Sequence, residues 1–435
     1  MPSAWRQALI AGACAGALSL PTLSAAAQKA APLPNATSAA AEGFSPERLK
    51  KLDDAMARAV AAREVGGMVT LLARDGKVIA AKSYGEAAPG RPMTRDAIFR
   101  IYSMTKVVTA VAMMMLYEEG RWQLDDPVTK FIPEFANLKV AAGTDKDGKL
   151  ILEPMKRPPT MRELMSHTAG FSYGGTGPAG DIYRAKDPLG ADNLHGMIER
   201  LAEVPLLYQP GTAWQYSISV DIQGYIVEKL SGQTLGEFFR TRIFDPLRMV
   251  DTAFFAPPEK YGRLAAVYAH DKADDQLKPA TTLLGRPMPD YKAPPKLESG
   301  GGGLVSTLDD YARFAAMLAN KGALDGARIL APQTVEVMQT NVVPEEVLAR
   351  PNPYPIFSKG LGWGMGVMTV NDPRLAGRTE GKGTMSWEGA AGTWFWADTE
   401  NRVAFVGLIQ NAERAGPNNY NWISRPLVYQ ALVKP

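Results

Sequence analysis

The chain has 435 residues, 46% hydrophobic and 21% charged, with 48 Lys and Arg against 45 Asp and Glu for a net charge of +3. That composition is globular and long enough for a large core, on the order of two to three structural units at about 150 residues each. The small net charge and the lack of any basic run that would track a phosphate backbone exclude nucleic-acid binding.

The N-terminus reads as an export signal. "MPSAWRQ" carries Arg6, "ALIAGACAGALSL" is an apolar core too short to span a membrane, and "LSAAAQ" offers cleavage after Ala27. Residues 1–27 are therefore expected to be removed and the protein to be periplasmic or secreted. Cleavage would also remove Cys14, the only cysteine, leaving no thiol or disulfide. The apolar run before Cys14 is short, which disfavours lipid anchoring there. No later segment has the ~20 apolar residues of a membrane span, so no stable membrane insertion is expected.

Residues 28–43, rich in Ala, Pro and Ser, read as a flexible leader. Ser45 as N-cap and Pro46 at the first position predict a helix with an apolar stripe of Leu49, Leu52, Met56 and Val60. Two β-rich runs flanking Asp75-Gly76 predict a hairpin. The stretch "RIYSMTKVVTAVAMMMLYEEG" is apolar on nearly every side and predicts a buried helix ending near Gly120. Residues 125–290, with many Pro and Gly and short helical patterns, predict a mostly helical second domain. A glycine run, "SGGGGLVST", leads to a helix, "LDDYARFAAMLANKG". Strands follow at "GWGMGVMTV", "GTWFWAD" and "RVAFVGLIQ", then a last helix, "WISRPLVYQALV". The expected fold is α+β: an antiparallel sheet flanked by helices, built from 44–124 and 291–435, with 125–290 beside it and the active site between.

Ser103 and Lys106 stand three residues apart at the start of the buried helix, on one face. A serine hydroxyl is a weak nucleophile until a base removes its proton. Lysine in a desolvated site can be that base, and a lysine buried in an otherwise apolar helix needs a reason. The helix start also supplies backbone N–H groups, Ser103's own among them, for an oxyanion.

S-x-x-K occurs in serine β-lactamases and penicillin-binding proteins. Together with "LMSHTAGFSYG", "YSISVDIQGYIVEKLSG", "FDPLRMVDTAF" and "SGGGGLVSTLDDYARF", it makes the chain, from about residue 45 to 430, resemble the superfamily of class C β-lactamases, DD-peptidases and family VIII carboxylesterases. The resemblance implies Ser103 as the acylated serine and Lys106 as its partner. It implies Tyr216, in "YSI", as the phenol that shares the base role and protonates the leaving group. The family's K-T-G element is matched by "WEG". That W-x-G looks like the esterase branch, with Trp387 and Gly389 lining the site and the Ala390 N–H as second oxyanion donor. Neither a cofactor nor a metal is implied, and the three histidines show no metal spacing.

The departures from the lactamase pattern bear on substrate. Ile218 stands where an asparagine would bind the lysine and the substrate amide. Trp387 stands where a lysine would attract the β-lactam carboxylate. Losing both donors disfavours an anionic amide, so the expected substrate is a small, uncharged, short-chain carboxylic ester, with β-lactam hydrolysis a weak side activity. A Glu388 facing the site would repel anions further. Two alternatives stay open: a β-lactamase or D-amino-acid peptidase, and a non-catalytic β-lactam or peptidoglycan binder. "GFSYG" matches the G-x-S-x-G elbow, but lacks its strand before and helix after. A triad at Ser172 would need His195 or His270. That loop, including Tyr173, is instead expected to border the substrate pocket.

Overall fold

The computed structural model describes residues 31–434, apart from 272, 284, 351–358 and 414–418. The expected signal peptide, its cleavage point and Cys14 lie outside the described residues.

Helix α1 (Pro46–Ala61) starts as its sequence requires, with the Ser45 hydroxyl accepting the Arg48 N–H at 3.3 Å. Strands β1 (Gly67–Arg74) and β2 (Lys77–Ala88) turn at Asp75 and Gly76, both at positive φ, and β3 (Arg91–Pro92) continues the edge. Helix α2 (Thr105–Glu118) is buried at every position from Thr105 to Leu116. Helices α3 (Ser219–Ser231) and α4 (Leu308–Ala319) follow, then β4 (Leu361–Trp363), β5 (Met368–Val370), β6 (Met385–Glu388), β7 (Trp394–Asp398), β8 (Val403–Ile409) and α5 (Tyr420–Tyr429).

The main sheet runs β4-β5-β6-β7-β8-β1-β2-β3, antiparallel at every pairing. Strand β1 pairs with β8 from Met68–Ile409 to Arg74–Val403, so the two ends of the chain share one sheet. Strand alternation separates two cores. Trp394 and Trp396 of β7 pack with Leu52 and Met56 of α1 and Val428 of α5. Phe395 and Ala397 face the larger core, which runs through α4 and α2 into α3 without a break. This is the expected α+β architecture, a sheet with helices on both faces.

The structure departs from expectation in three places. The leader read over 28–43 is packed from Ala31 onward. Leu33 is buried, the Ala36 N–H donates to Val78 O at 2.9 Å, and the Val78 N–H donates to Pro34 O at 2.8 Å. An apolar anchor and two backbone bonds hold a segment whose composition suggests none. The strand read at 362–370 is a hairpin. Gly366, at φ +76°, turns it where a Cβ would lie 2.5 Å from that of Ala110. Residues 125–290 hold hairpins among their helices, the longest pairing Lys139–Thr144 with Leu150–Pro154. Its strands are largely exposed and carry no apolar period. The Asp145 carboxylate sets the turn, accepting the Asp147 and Lys149 N–H groups at 2.9 Å.

A small ladder positions the start of α2. Phe99–Arg100 pairs with Val305–Ser306, and the Thr252 and Ser306 hydroxyls share a hydrogen bond of 2.8 Å. Asp310, buried on α4, locks this ladder by accepting the Asp251 N–H at 2.7 Å and the Thr252 hydroxyl at 2.9 Å. Burial raises its carboxyl to about 7, against the pull of those two donors. A carboxyl raised above its unfolded value stabilises the fold in acid and loses that contribution as pH climbs from about 4 through 7. Asp310→Asn keeps an acceptor oxygen without the charge. It should therefore gain roughly 2–4 kcal/mol relative to wild type at pH 8 and much less at pH 4, measured by urea unfolding at the two pH values.

Candidate active site

The chain enters α2 through a short turn, Tyr102–Met104, with Tyr102 at φ +42°. The turn is tied down on both sides. The Ile101 N–H donates to Leu304 O and the Leu304 N–H to the Thr105 hydroxyl, both at 3.1 Å. The Tyr311 hydroxyl donates to Met104 O at 2.9 Å. Ser103 is half-buried at the mouth of this turn and Lys106, one turn deeper, is 1% exposed. An amine taken out of water needs hydrogen-bond acceptors. Lys106 Nζ has three: the Gly301 carbonyl, the Tyr173 hydroxyl at 3.0 Å and Ser103 Oγ at 3.4 Å.

Tyr216 reaches the same spot from the segment before α3. Lys106 Nζ lies 4.7 Å from its ring centre, and its hydroxyl accepts the Trp387 indole N–H at 3.3 Å. Behind the ring sits His167, 5.1 Å from Tyr216 and from Trp363 between ring centres, with Nδ1 3.0 Å from Ser217 Oγ. Burial, and then the charge of Lys106, hold the His167 imidazole well below its usual value, so it is a neutral packing group. The hydroxyl at 103, the amine at 106 and the phenol at 216 thus converge from two separate parts of the chain.

The turn after β6 closes the site. The Gly389 N–H donates to Thr393 O at 2.7 Å and the Thr393 hydroxyl to Ile101 O at 3.3 Å. A Cβ on Gly389 would lie 2.4 Å from Ile101 O, so only glycine lets this turn approach the Ser103 turn. The Ala390 N–H next to it donates to no other group among the described residues. Trp387 is half-buried on the face shared with Tyr216 and Trp363. Glu388 points the other way, as strand alternation requires, and its carboxylate accepts the Asn421 amide of α5 at 2.5 Å. It adds no charge to the site.

Two expected placements change. Ile218 is completely buried in the apolar core, so it presents no surface to a substrate. Tyr173 does more than border a pocket. Its hydroxyl donates to Asp221 Oδ2 at 3.3 Å while accepting from Lys106, so the lysine has a polar partner although Ile218 offers none. Burial and the Asp221 charge hold the Tyr173 phenol far above its ordinary value, hence neutral. Asp221 went unread; its signal was a carboxylate in "SVDIQGY", on a helix buried from Ser219 to Val227. Ser172 forms no elbow. Its hydroxyl accepts the Gly174 N–H at 3.1 Å within a turn, while His195 and His270 contact Tyr225 and Glu413 elsewhere.

Comparison with known proteins agrees with this fold. The family model described as Beta-lactamase matches residues 52–430. Esterase EstB of Burkholderia gladioli is 31% identical over 376 residues, covering 79% of this chain and 86% of its own. The lovastatin esterase of Penicillium rubens is 29% identical over 364 residues, 79% and 88% of the two chains. Among solved structures, EstCE1, described as a hydrolase with promiscuous acyltransferase activity, superimposes with a TM-score of 0.72 at 27% identity, over 88% of this chain and 99% of its own. The chain belongs to the Beta-lactamase family and is a serine hydrolase with esterases among its relatives.

The Gly389 contact gives a direct test of the turn. Gly389→Ala should cut turnover of any substrate by about 100-fold, the scale of losing one oxyanion donor. Steady-state kinetics with circular dichroism as the folding control would measure it, and unchanged turnover would mean the turn does not set the geometry.

Proposed function

We propose that the protein hydrolyses small, uncharged carboxylic esters with short acyl groups through an acyl-enzyme on Ser103. The observation that carries this reading is the position of Lys106 Nζ, buried and 3.4 Å from a half-exposed serine hydroxyl at a helix start. Ser103 Oγ attacks the ester carbonyl and its proton passes to Lys106. The N–H groups of Ser103 and Ala390 hold the oxyanion. Tyr216, beside the same amine, delivers a proton to the leaving alcohol, and Trp387, donating to the phenol oxygen, steadies any negative charge there. Water activated by the same pair then releases the acid.

Ester rather than β-lactam follows from the lining. Trp387 stands where the lactamase pattern has a lysine, and Ile218, buried in the core, offers a substrate no polar donor; Glu388 faces away and leaves the choice unaffected. Relatives named as esterases support the same choice.

A panel of p-nitrophenyl esters of rising acyl length, with nitrocefin alongside, tests this. The kcat/KM should be highest for short acyl chains and exceed that for nitrocefin by at least about 100-fold. Ser103→Ala should lose about 1,000-fold or more and Tyr216→Phe about 100-fold or more. Nitrocefin as the better substrate would favour a β-lactamase, and a stable adduct without turnover would favour a binder.

A further inference from the structure

Asp221 has no part in the chemistry above, and its surroundings are unusual. It sits on the first turn of α3 with no exposed surface. Among the described residues no Lys, Arg or His forms an ion pair with it. Its carboxylate is satisfied entirely by neutral donors. Oδ1 accepts the Ser299 hydroxyl and the Gly301 N–H, the latter at 3.0 Å, and Oδ2 accepts the Tyr173 hydroxyl at 3.3 Å. Two of these partners, the Gly301 peptide through its carbonyl and the Tyr173 phenol through its oxygen, are also the partners of Lys106. The glycine run allows the meeting. A Cβ on Gly301 would lie 2.3 Å from Asp221 Oδ2 and 2.8 Å from the Tyr173 hydroxyl.

The directions of these hydrogen bonds are fixed by elimination. A carboxylate only accepts, so the Tyr173 proton is committed to Asp221 and the phenol offers Lys106 a lone pair. The Gly301 carbonyl also only accepts. In the neutral form that acts as the base, the amine has two N–H donors and one lone pair. With both donors drawn to Gly301 O and Tyr173 O, the remaining direction, towards Ser103 Oγ, is the lone pair. Without Asp221, the Tyr173 hydroxyl is able to turn its proton onto that lone pair and block it.

We propose that Asp221 is a positioning residue that, by holding the Tyr173 proton, aims the free electron pair of Lys106 at Ser103. The idea rests on Lys106 being the base. In the step it serves, the Ser103 O–H bond breaks as Oγ bonds to the ester carbon. The proton joins Lys106, whose three N–H groups then meet Gly301 O, Tyr173 O and the substrate oxygen.

The variant that tests this is Asp221→Asn. The Gly301 N–H still needs an acceptor, so the amide oxygen takes the Oδ1 place and the amide nitrogen faces Tyr173. That nitrogen donates to the phenol and forces its proton towards Lys106. We expect kcat for a p-nitrophenyl ester to fall about 10- to 100-fold with KM within about 2-fold. Tyr173→Phe removes the competing proton with the acceptor and should cost less, about 10-fold. In the Tyr173→Phe background, Asp221→Asn should then change kcat by less than about 3-fold. Equal losses in both backgrounds, or a fully active Asp221→Asn, would overturn the assignment. If Asp221→Asn does not fold, Tyr173→Phe decides alone, and wild-type kcat in it would overturn the assignment. Lys106→Ala belongs in the same series, since activity surviving there would show that the base itself had been misidentified.

Discussion

The structure depends on keeping one amine out of water. Lys106 stands in the first turn of a helix buried at every position from Thr105 to Leu116, where an unpaired ammonium would cost several kcal/mol. Its partners come from its own turn and from two distant segments. Ser103 is on its own turn, Tyr173 lies 67 residues on, and the Gly301 carbonyl lies 195 residues on. Gly300 and Gly301 exist to let backbone approach this closely. A Cβ on Gly300 would lie 2.9 Å from Val220 O, and one on Gly301 would strike Asp221. Hydrogen bonds from Thr109 to Gly300 O and from the Leu304 N–H to Thr105 lace the glycine run along α2. The lysine therefore specifies the local fold as much as the fold places the lysine.

The sheet supplies the second half of the site. Its long central pairing, β1 with β8, carries no chemistry, but it fixes β7 and then β6, whose end turn reaches the Ser103 turn through Gly389 and Thr393. Alternation along β6 sends Trp387 towards Tyr216 and Glu388 towards α5. One strand thus presents an uncharged indole to the site and its negative charge to the opposite face. The tryptophan answers two needs. It leaves this face of the site uncharged, and it donates to the Tyr216 phenol beside Lys106.

Local pattern made much of this legible. Capping at Ser45, the Asp75-Gly76 turn, the all-round apolar helix and its misplaced lysine are signals within a few residues, and each element formed as read. Ser103, Lys106, Tyr216 and the Trp387–Ala390 turn were reached by motif, and they lie together in space. What could not be read depends on contacts between segments far apart in sequence. Nothing near Tyr173 says that its proton is held by a carboxylate 48 residues later. Nothing in "YSI" says that Ile218 turns into the core while its neighbour Ser217 meets His167. The leader failed for a related reason, since its Ala and Pro content hides the one leucine that docks. The glycine run was visible, but its purpose was not, because a glycine's meaning is the group it lets come near.

The central claim is that acyl groups pass through the hydroxyl at position 103. The most direct measurement is intact-protein and peptide mass spectrometry of the Tyr216→Phe variant quenched during turnover of a p-nitrophenyl ester, where release of the acyl group is slowed. One acyl mass added to the chain, localised to the peptide bearing Ser103, is the expected result. An acyl group on Ser172, or its absence from Ser103 while ester is still consumed, would contradict it.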